Sequence, residues 1–342
     1  MTSTHNENPF PITGKIPARL FCDREVELSQ LKKACAGGAN VTLISLRRMG
    51  KTVLIDQLFE RLPKRSYTTY KIDALATQSL SDLCTIVAGA IARIEIARGR
   101  KALEGLMKLL SRVRASLTID PNTQVPSIEF GIGAGNDPQY TLFELFSELD
   151  KQKTRVVFAI DEIQQIAHYP GELAEAHLRT VTSQMRNITF IFAGSDRTLM
   201  SSMFNDRARP FYHSTEIMTI DPIPRSVYAE FIVEQFTSTG RKISLDLAGQ
   251  IYDLVRGHTF YVQAVCRRVW DQYTDAYVTM HDITQALYDI TSQQVAEYHG
   301  YRNLMSSHQW KLFVAIGKDG AVVSPTGRDF IEQNRLGLGG TV

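Results

Sequence analysis

The segment Ser45-Leu46-Arg47-Arg48-Met49-Gly50-Lys51-Thr52 has the residue types of a phosphate-cradling loop. Holding a triphosphate takes backbone N–H groups at a helix N-terminus, a lysine for the outer phosphates and a hydroxyl for a divalent cation. Lys51 supplies the ammonium and Thr52 the hydroxyl, while Ser45, Arg47, Arg48, Met49, Gly50 and Val53 supply the surrounding backbone. The usual pattern is G-x-x-x-x-G-K-T, and here its first glycine is Ser45. A bare Gly-Lys-Thr is also an ordinary helix start, so the loop needs support from elsewhere.

That support lies about 110 residues downstream, where the apolar run Val156-Val157-Phe158-Ala159-Ile160 ends in Asp161-Glu162. A buried strand closing on two acids resembles a Walker B strand. Asp161 is then placed to hold magnesium with Thr52, and Glu162 to polarise an attacking water. A third apolar run, Ile188 to Ala193, ends in Gly194-Ser195-Asp196. Ser195 suits a polar group beside the terminal phosphate, and a plain strand-end turn explains the same residues. Either acidic strand or loop alone is ambiguous; together they predict a site for ATP and Mg2+, with Lys51, Glu162 and Ser195 as the catalytic candidates.

These residues have to be carried by strands that run into loops. Val41 to Ile44 reads as a buried strand before the phosphate loop, and Val53, Leu54, Ile55, Leu58 and Leu62 as the apolar side of the helix after it. Further strands are expected at Tyr67 to Ile72, Arg155 to Ile160 and Ile188 to Ala193, and helices at Asp23 to Ala36, Leu80 to Ile96, Leu142 to Leu149 and Leu178 to Met185. Alternating strands and helices predict a mainly parallel sheet covered on both faces. The helix from Leu80 is expected to continue into the basic stretch Arg98 to Arg114, whose charges without interleaved aromatics read as a solvated face rather than a nucleic-acid patch. Leu117 to Ile119 and Ser127 to Ile132 flank a turn, predicting a hairpin insertion with a Gly-rich exit at 131–135. After Pro224 only helices are expected, near Val227 to Phe236, Leu245 to Val255, Tyr261 to Tyr277 and His281 to Tyr298.

A net charge of +2 gives no molecule-wide attraction to nucleic acid or anionic membrane. The four cysteines are scattered without a C-x-x-C pair, which speaks against zinc and a disulfide scaffold and fits a reducing cytoplasm. Met1 to Asn8 lacks the design of a secretory signal, and no apolar run nears the length of about 18 residues that spans a membrane. No Gly-x-Ser-x-Gly elbow or His-Glu-x-x-His helix offers a rival chemistry.

With these motifs placed, the chain resembles the prokaryotic AAA+ ATPases related to the signal-transduction (STAND) group, of the archaeal-type ATPase-domain family. The marks are Asn8-Pro9-Phe10-Pro11, Phe21-Cys22-Asp23-Arg24-Glu25, Arg47 to Thr52, Ile160-Asp161-Glu162, Ala193-Gly194-Ser195, Arg209-Pro210-Phe211-Tyr212 and Gly257-His258-Thr259-Phe260-Tyr261-Val262-Gln263. The resemblance implies a three-layer α-β-α core at 23–224 with an insertion near 98–135, an arm at 1–22, a helical lid at 225–300 and a partial winged helix at 301–342. It also implies that Phe21, Arg24 and Glu25 lie near the adenine, for which helix capping and packing are the alternative. His258 would approach the phosphates from the lid, or be a surface histidine.

Three departures from the family pattern stand out. Ser45 and Leu46 replace the common Gly and Pro. His213-Ser214 stands where relatives often carry Gly-Arg, leaving Arg209 or Arg207 as substitutes for an arginine finger. The ending looks like a winged helix interrupted after Trp310 to Ile316 and Gly327 to Asn334, as in a fragment or in a protein that does not read DNA. The expected function is a Mg-dependent ATPase acting as a nucleotide-controlled switch, with ATP and ADP as ligands and a protein partner or self-association. A regulatory protein with negligible hydrolysis and an ATP-controlled DNA-associated module stay open beside it.

Overall fold

The computed structural model describes residues 7–119, 126–130, 137–171, 173–272, 276–320 and 322–336. Five parallel strands form the central sheet: β1 (Val41–Ile44), β2 (Tyr67–Asp73), β5 (Arg155–Asp161), β6 (Ile188–Gly194) and β7 (Glu216–Thr219), in the order β2-β5-β6-β1-β7. β3 (Ala115–Ile119) and β4 (Pro126–Phe130) pair antiparallel as a separate hairpin. Its connecting turn and the Gly-rich exit expected at 131–135 lie outside the described residues.

The apolar runs of β5 and β6 are buried along their length because helices cover both faces of the sheet. Side chains alternate between those faces. Val156, Phe158 and Ile160 join Phe190 and Phe192 under α3 (Leu80–Arg98), α5 (Pro138–Asp150), α6 (Ala174–Gln184) and α7 (Arg197–Asn205). Val157, Ala159, Ile191 and Ala193 join Val41 and Leu43 under α1 (Glu25–Gly37) and α2 (Lys51–Arg61). Phe146 of α5 meets Phe158 and Phe190 edge-on, at 5.0 and 5.2 Å between centroids.

Three expectations are corrected here, the first being the helix near His281 to Tyr298, which is two helices, Met280–Gln293 and Val295–Leu304, parted at Gln294. The helix from Leu80 does not run on into the basic stretch: Gly99, at φ 101°, breaks it and α4 (Arg100–Arg112) follows. Tyr277 is not helical either, because α10 (Thr259–Gln272) ends before it and Lys242 pairs with the extended chain there through Ala276 O and Val278 N. β7 and α7 carry no signal that the sequence reading picked up; β7 is a four-residue edge strand and largely exposed.

α8 (Arg225–Ser238), α9 (Leu245–Leu254), α10 and α11 (Met280–Gln293) share their own apolar cluster, built on Tyr228, Ile232, Phe236, Val262, Val265 and Ile283. The N-terminal arm is tied into that cluster. Phe10 is fully buried against Phe236 at 4.9 Å, and Asn8 Nδ2 donates to Arg267 O and to Asp271 Oδ1. Further along, Ile16 O accepts from Gln57 Nε2 on α2. One short segment therefore bridges the lid helices and the core. α12 (Val295–Leu304), α13 (Ser307–Asp319) and α14 (Arg328–Gln333) follow with little burial beyond Ala315 and Leu336. The helices expected around Trp310 and Phe330 are present, but no wing strand follows them among the described residues, so a winged helix is not confirmed.

No helix among the described residues is long and apolar enough to cross a membrane.

Candidate functional site

β6 lies between β1 and β5, so the loops leaving the C-terminal ends of all three strands emerge side by side. That edge is where open parallel sheets bind ligands. The phosphate-type loop turns through Arg48 at φ 61° and Gly50 at φ 96°, left-handed values that glycine meets at no steric cost. Ser45 is not among the residues with positive φ, so its Cβ is tolerated where the usual pattern has glycine.

Lys51 is only 5% exposed. Its Nζ donates to Ser45 Oγ at 2.9 Å and to Leu46 O at 3.4 Å. Burial pushes its pKa down, while Glu162 and Asp161 pull it back up. Across the loop, Thr52 Oγ1 donates to Asp161 Oδ2 at 2.6 Å. Burial raises the Asp161 pKa, and the Thr52 hydrogen bond works against that rise. A buried ammonium and a buried carboxylate held against their solvation cost are typical of functional sites.

Glu162 takes a left-handed backbone at φ 51°, which is costly for a residue with a Cβ. Its carboxylate accepts from Ser195 Oγ at 2.7 Å and from Gln164 Nε2. The third strand thus contributes through Glu162.

A cleft of about 340 Å³ opens beside these groups. One part is lined by Arg48, Met49, Gly50, Lys51, Thr52, Val53 and Glu162. The remainder combines arm residues such as Pro11, Ile12 and Ile16 with Phe21, Arg24, Tyr228, Phe260 and Gln263. Arg24 is 5% exposed; its Nη1 donates to Glu27 Oε1 at 2.7 Å, and its Nη2 has no hydrogen-bond partner among the described residues. Thr259 Oγ1 and Gln263 Oε1 are buried and unpartnered in the same way. Arg48 holds its guanidinium 4.4 Å from the Phe260 ring centroid, a cation–π contact that joins the loop to the lid.

Residues 21–265 match the model of the family described as ATPase domain predominantly from Archaea. The chain belongs to this ATPase family. No curated protein matches the sequence. Its fold is that of a Walker-type ATPase of Pyrococcus abyssi, at TM-score 0.62, 16% identity and coverage of 96% of this chain and 93% of the other. The ORC2 protein of Aeropyrum pernix, solved in ADPNP–ADP complexes, is similar at TM-score 0.58 and 12% identity, covering 96% and 83%. The ORC1 protein of the same organism, solved in complex with DNA, gives TM-score 0.54 and 15% identity, covering 94% and 80%. The sheet and its helices therefore share the fold of these proteins.

Within this ATPase fold the structure brings Phe21, Arg24, Arg48, Met49, Gly50, Lys51, Thr52, Val53 and Glu162 onto one cleft. Ser45, Asp161 and Ser195 stand behind it, each hydrogen-bonded to a residue that lines it. Arg47 is exposed and off the cleft wall. His258 does not line the cleft; it is half-buried, its pKa is lowered by burial, and the Arg47 backbone opposes that shift through a hydrogen bond. Glu25 turns outward to accept from Arg61. Arg209 pairs with Glu175, and Arg207 is exposed; neither lines the cleft. Sequence reading missed Gln164, Tyr228 and the site use of Phe260 and Gln263, although the last two sit in the quoted motif after Gly257.

Proposed function

We propose that this chain binds Mg-ATP between the phosphate loop and the lid helices and hydrolyses it as a nucleotide-controlled switch. The observation that carries the reading is the Thr52–Asp161 hydrogen bond of 2.6 Å beside the buried Lys51. A hydroxyl and one carboxylate fit magnesium, which takes few protein ligands and completes its shell with water and phosphate oxygens. When bound, Mg2+ would neutralise charge on the outer phosphates. Lys51 and the N–H groups at the start of α2 hold the phosphates, and Thr52 and Asp161 hold the metal. Glu162 orients the attacking water, with Ser195 and Gln164 fixing its carboxylate. The Arg48–Phe260 contact supports coupling to the lid, because phosphates drawn into the loop act on a residue that already touches α10.

The test is Mg-ATP binding and phosphate release by the unaltered chain, Lys51→Ala and Glu162→Gln. Loss of binding in the first variant and retained binding without turnover in the second support the reading. Normal turnover by Glu162→Gln contradicts the assigned role.

A second reading, a regulatory protein with negligible hydrolysis, is favoured by one observation. Glu162 already accepts two side-chain hydrogen bonds, which compete with a water for its carboxylate. Product trapped after a single turnover would support it over a cycling enzyme. A nucleic-acid partner finds less support than a protein partner or self-association, since Arg98, Arg100 and Arg112 of the basic stretch are engaged with Glu95, Glu104 and Glu148.

A further inference from the structure

Tyr228 is fully buried in the cleft wall and has one hydroxyl proton. It donates that proton to Thr259 O at 3.3 Å, so its oxygen is the acceptor for Gln263 Nε2 at 3.1 Å. The Gln263 amide is thereby oriented with its nitrogen toward Tyr228. Its Oε1 is left as a buried acceptor with no partner among the described residues, on a side chain that lines the cleft. Arg24 Nη2, on the same wall, is a buried donor with none. Thr259 Oγ1 can give or take a proton and does not discriminate.

We propose that Gln263, held by Tyr228, reads the nucleobase and selects a 6-amino purine over a 6-oxo purine. This rests on the nucleotide reading of the cleft given above. A 6-amino purine presents a donor beside a ring-nitrogen acceptor, which complements Gln263 Oε1 and the Arg24 guanidinium. A 6-oxo purine brings a carbonyl against the Gln263 carbonyl, leaving two acceptors facing each other in a desolvated place. Unsatisfied buried polar groups cost enough to shift affinity by about tenfold or more. The apolar arm residues Pro11, Ile12 and Ile16 suit the faces of an aromatic base.

The experiment measures equilibrium binding of ATP, inosine triphosphate and inorganic tripolyphosphate to the unaltered chain, Gln263→Leu and Lys51→Ala. The unaltered chain is expected to prefer ATP over inosine triphosphate by about tenfold or more. Gln263→Leu is expected to bring that ratio close to one, chiefly by weakening ATP, with tripolyphosphate unchanged. A ratio near one in the unaltered chain overturns the proposal without any variant, and so does a ratio kept intact in Gln263→Leu. Either result, with ATP and tripolyphosphate still bound through Lys51, leaves the nucleotide site standing. Binding that ignores Lys51→Ala, or no binding of any of the three, overturns the nucleotide reading and this proposal with it.

Discussion

Gly194 closes β6 directly before Ser195, and a methyl group there has nowhere to go. A Cβ at this position would lie 2.3 Å from Met200 Sδ, 2.6 Å from Met200 Cγ and 2.5 Å from Gln164 Oε1. Its φ is not in the left-handed region, so the demand for glycine is one of space rather than backbone conformation. Met200 is fully buried and cannot swing into solvent, which leaves Gln164 and the end of β6 to move. Overpacking of this kind costs about 1–3 kcal/mol. At about 2–4 °C per kcal/mol for a domain of some 200 residues, the Gly194→Ala variant should melt several degrees lower. The displaced Gln164 carboxamide also releases one of the two donors to Glu162, so phosphate release should change more than ATP affinity, which depends on the loop carrying Lys51. Thermal melting by circular dichroism, ATP binding and phosphate release measured together check this. A variant with unaltered melting and unaltered turnover would refute the close-packing argument.

Three further outcomes are expected. Asp161 has its pKa raised above 3.8 chiefly by burial, so its contribution to stability is full below 3.8 and is lost as pH rises through the folded value. Asp161→Asn should therefore melt higher than the unaltered chain at pH 7 and lose the magnesium dependence of nucleotide binding; a lower melting temperature would contradict the sign. His258, with its pKa lowered from 6.5 by burial, should cost stability as pH falls below 6.5, and His258→Gln should flatten that part of the melting-versus-pH curve. Phe10→Ala should cost about 3–5 kcal/mol, because the ring is fully buried against Phe236 in the lid cluster. Limited proteolysis should then cut the lid helices faster, and unchanged protection would count against the docked arm.

The phosphate end of the site was legible because its requirements are local. Gly50, Lys51 and Thr52 sit on one turn, and Asp161 ends a strand whose apolar run is unmistakable, so parallel pairing on either side of β6 brings them together. Ser45 was legible as a departure from pattern; that its hydroxyl would take the Lys51 ammonium was not, since this depends on the path of the loop. The other wall was harder to read because it is assembled from distant segments. Phe10 and Asn8 find their partners on α8 and α10, more than two hundred residues away, and no periodicity near the N-terminus encodes that docking. Tyr228 and Gln263 looked like helix core and a motif edge, and their hydrogen bond appears only once α8 and α10 pack. The breaks at Gly99 and Gln294 had different visibility. Gly99 is a recognisable breaker that the sequence reading ran straight through into the basic stretch, whereas Gln294 has no such signature.

The central claim is that Lys51, Thr52 and Asp161 form a working Mg-ATP site, and equilibrium ATP binding with and without Mg2+, in the unaltered chain and in Lys51→Ala, tests it most directly. The account predicts magnesium-dependent binding that Lys51→Ala abolishes; ATP binding of equal strength in both proteins, indifferent to magnesium, would contradict it.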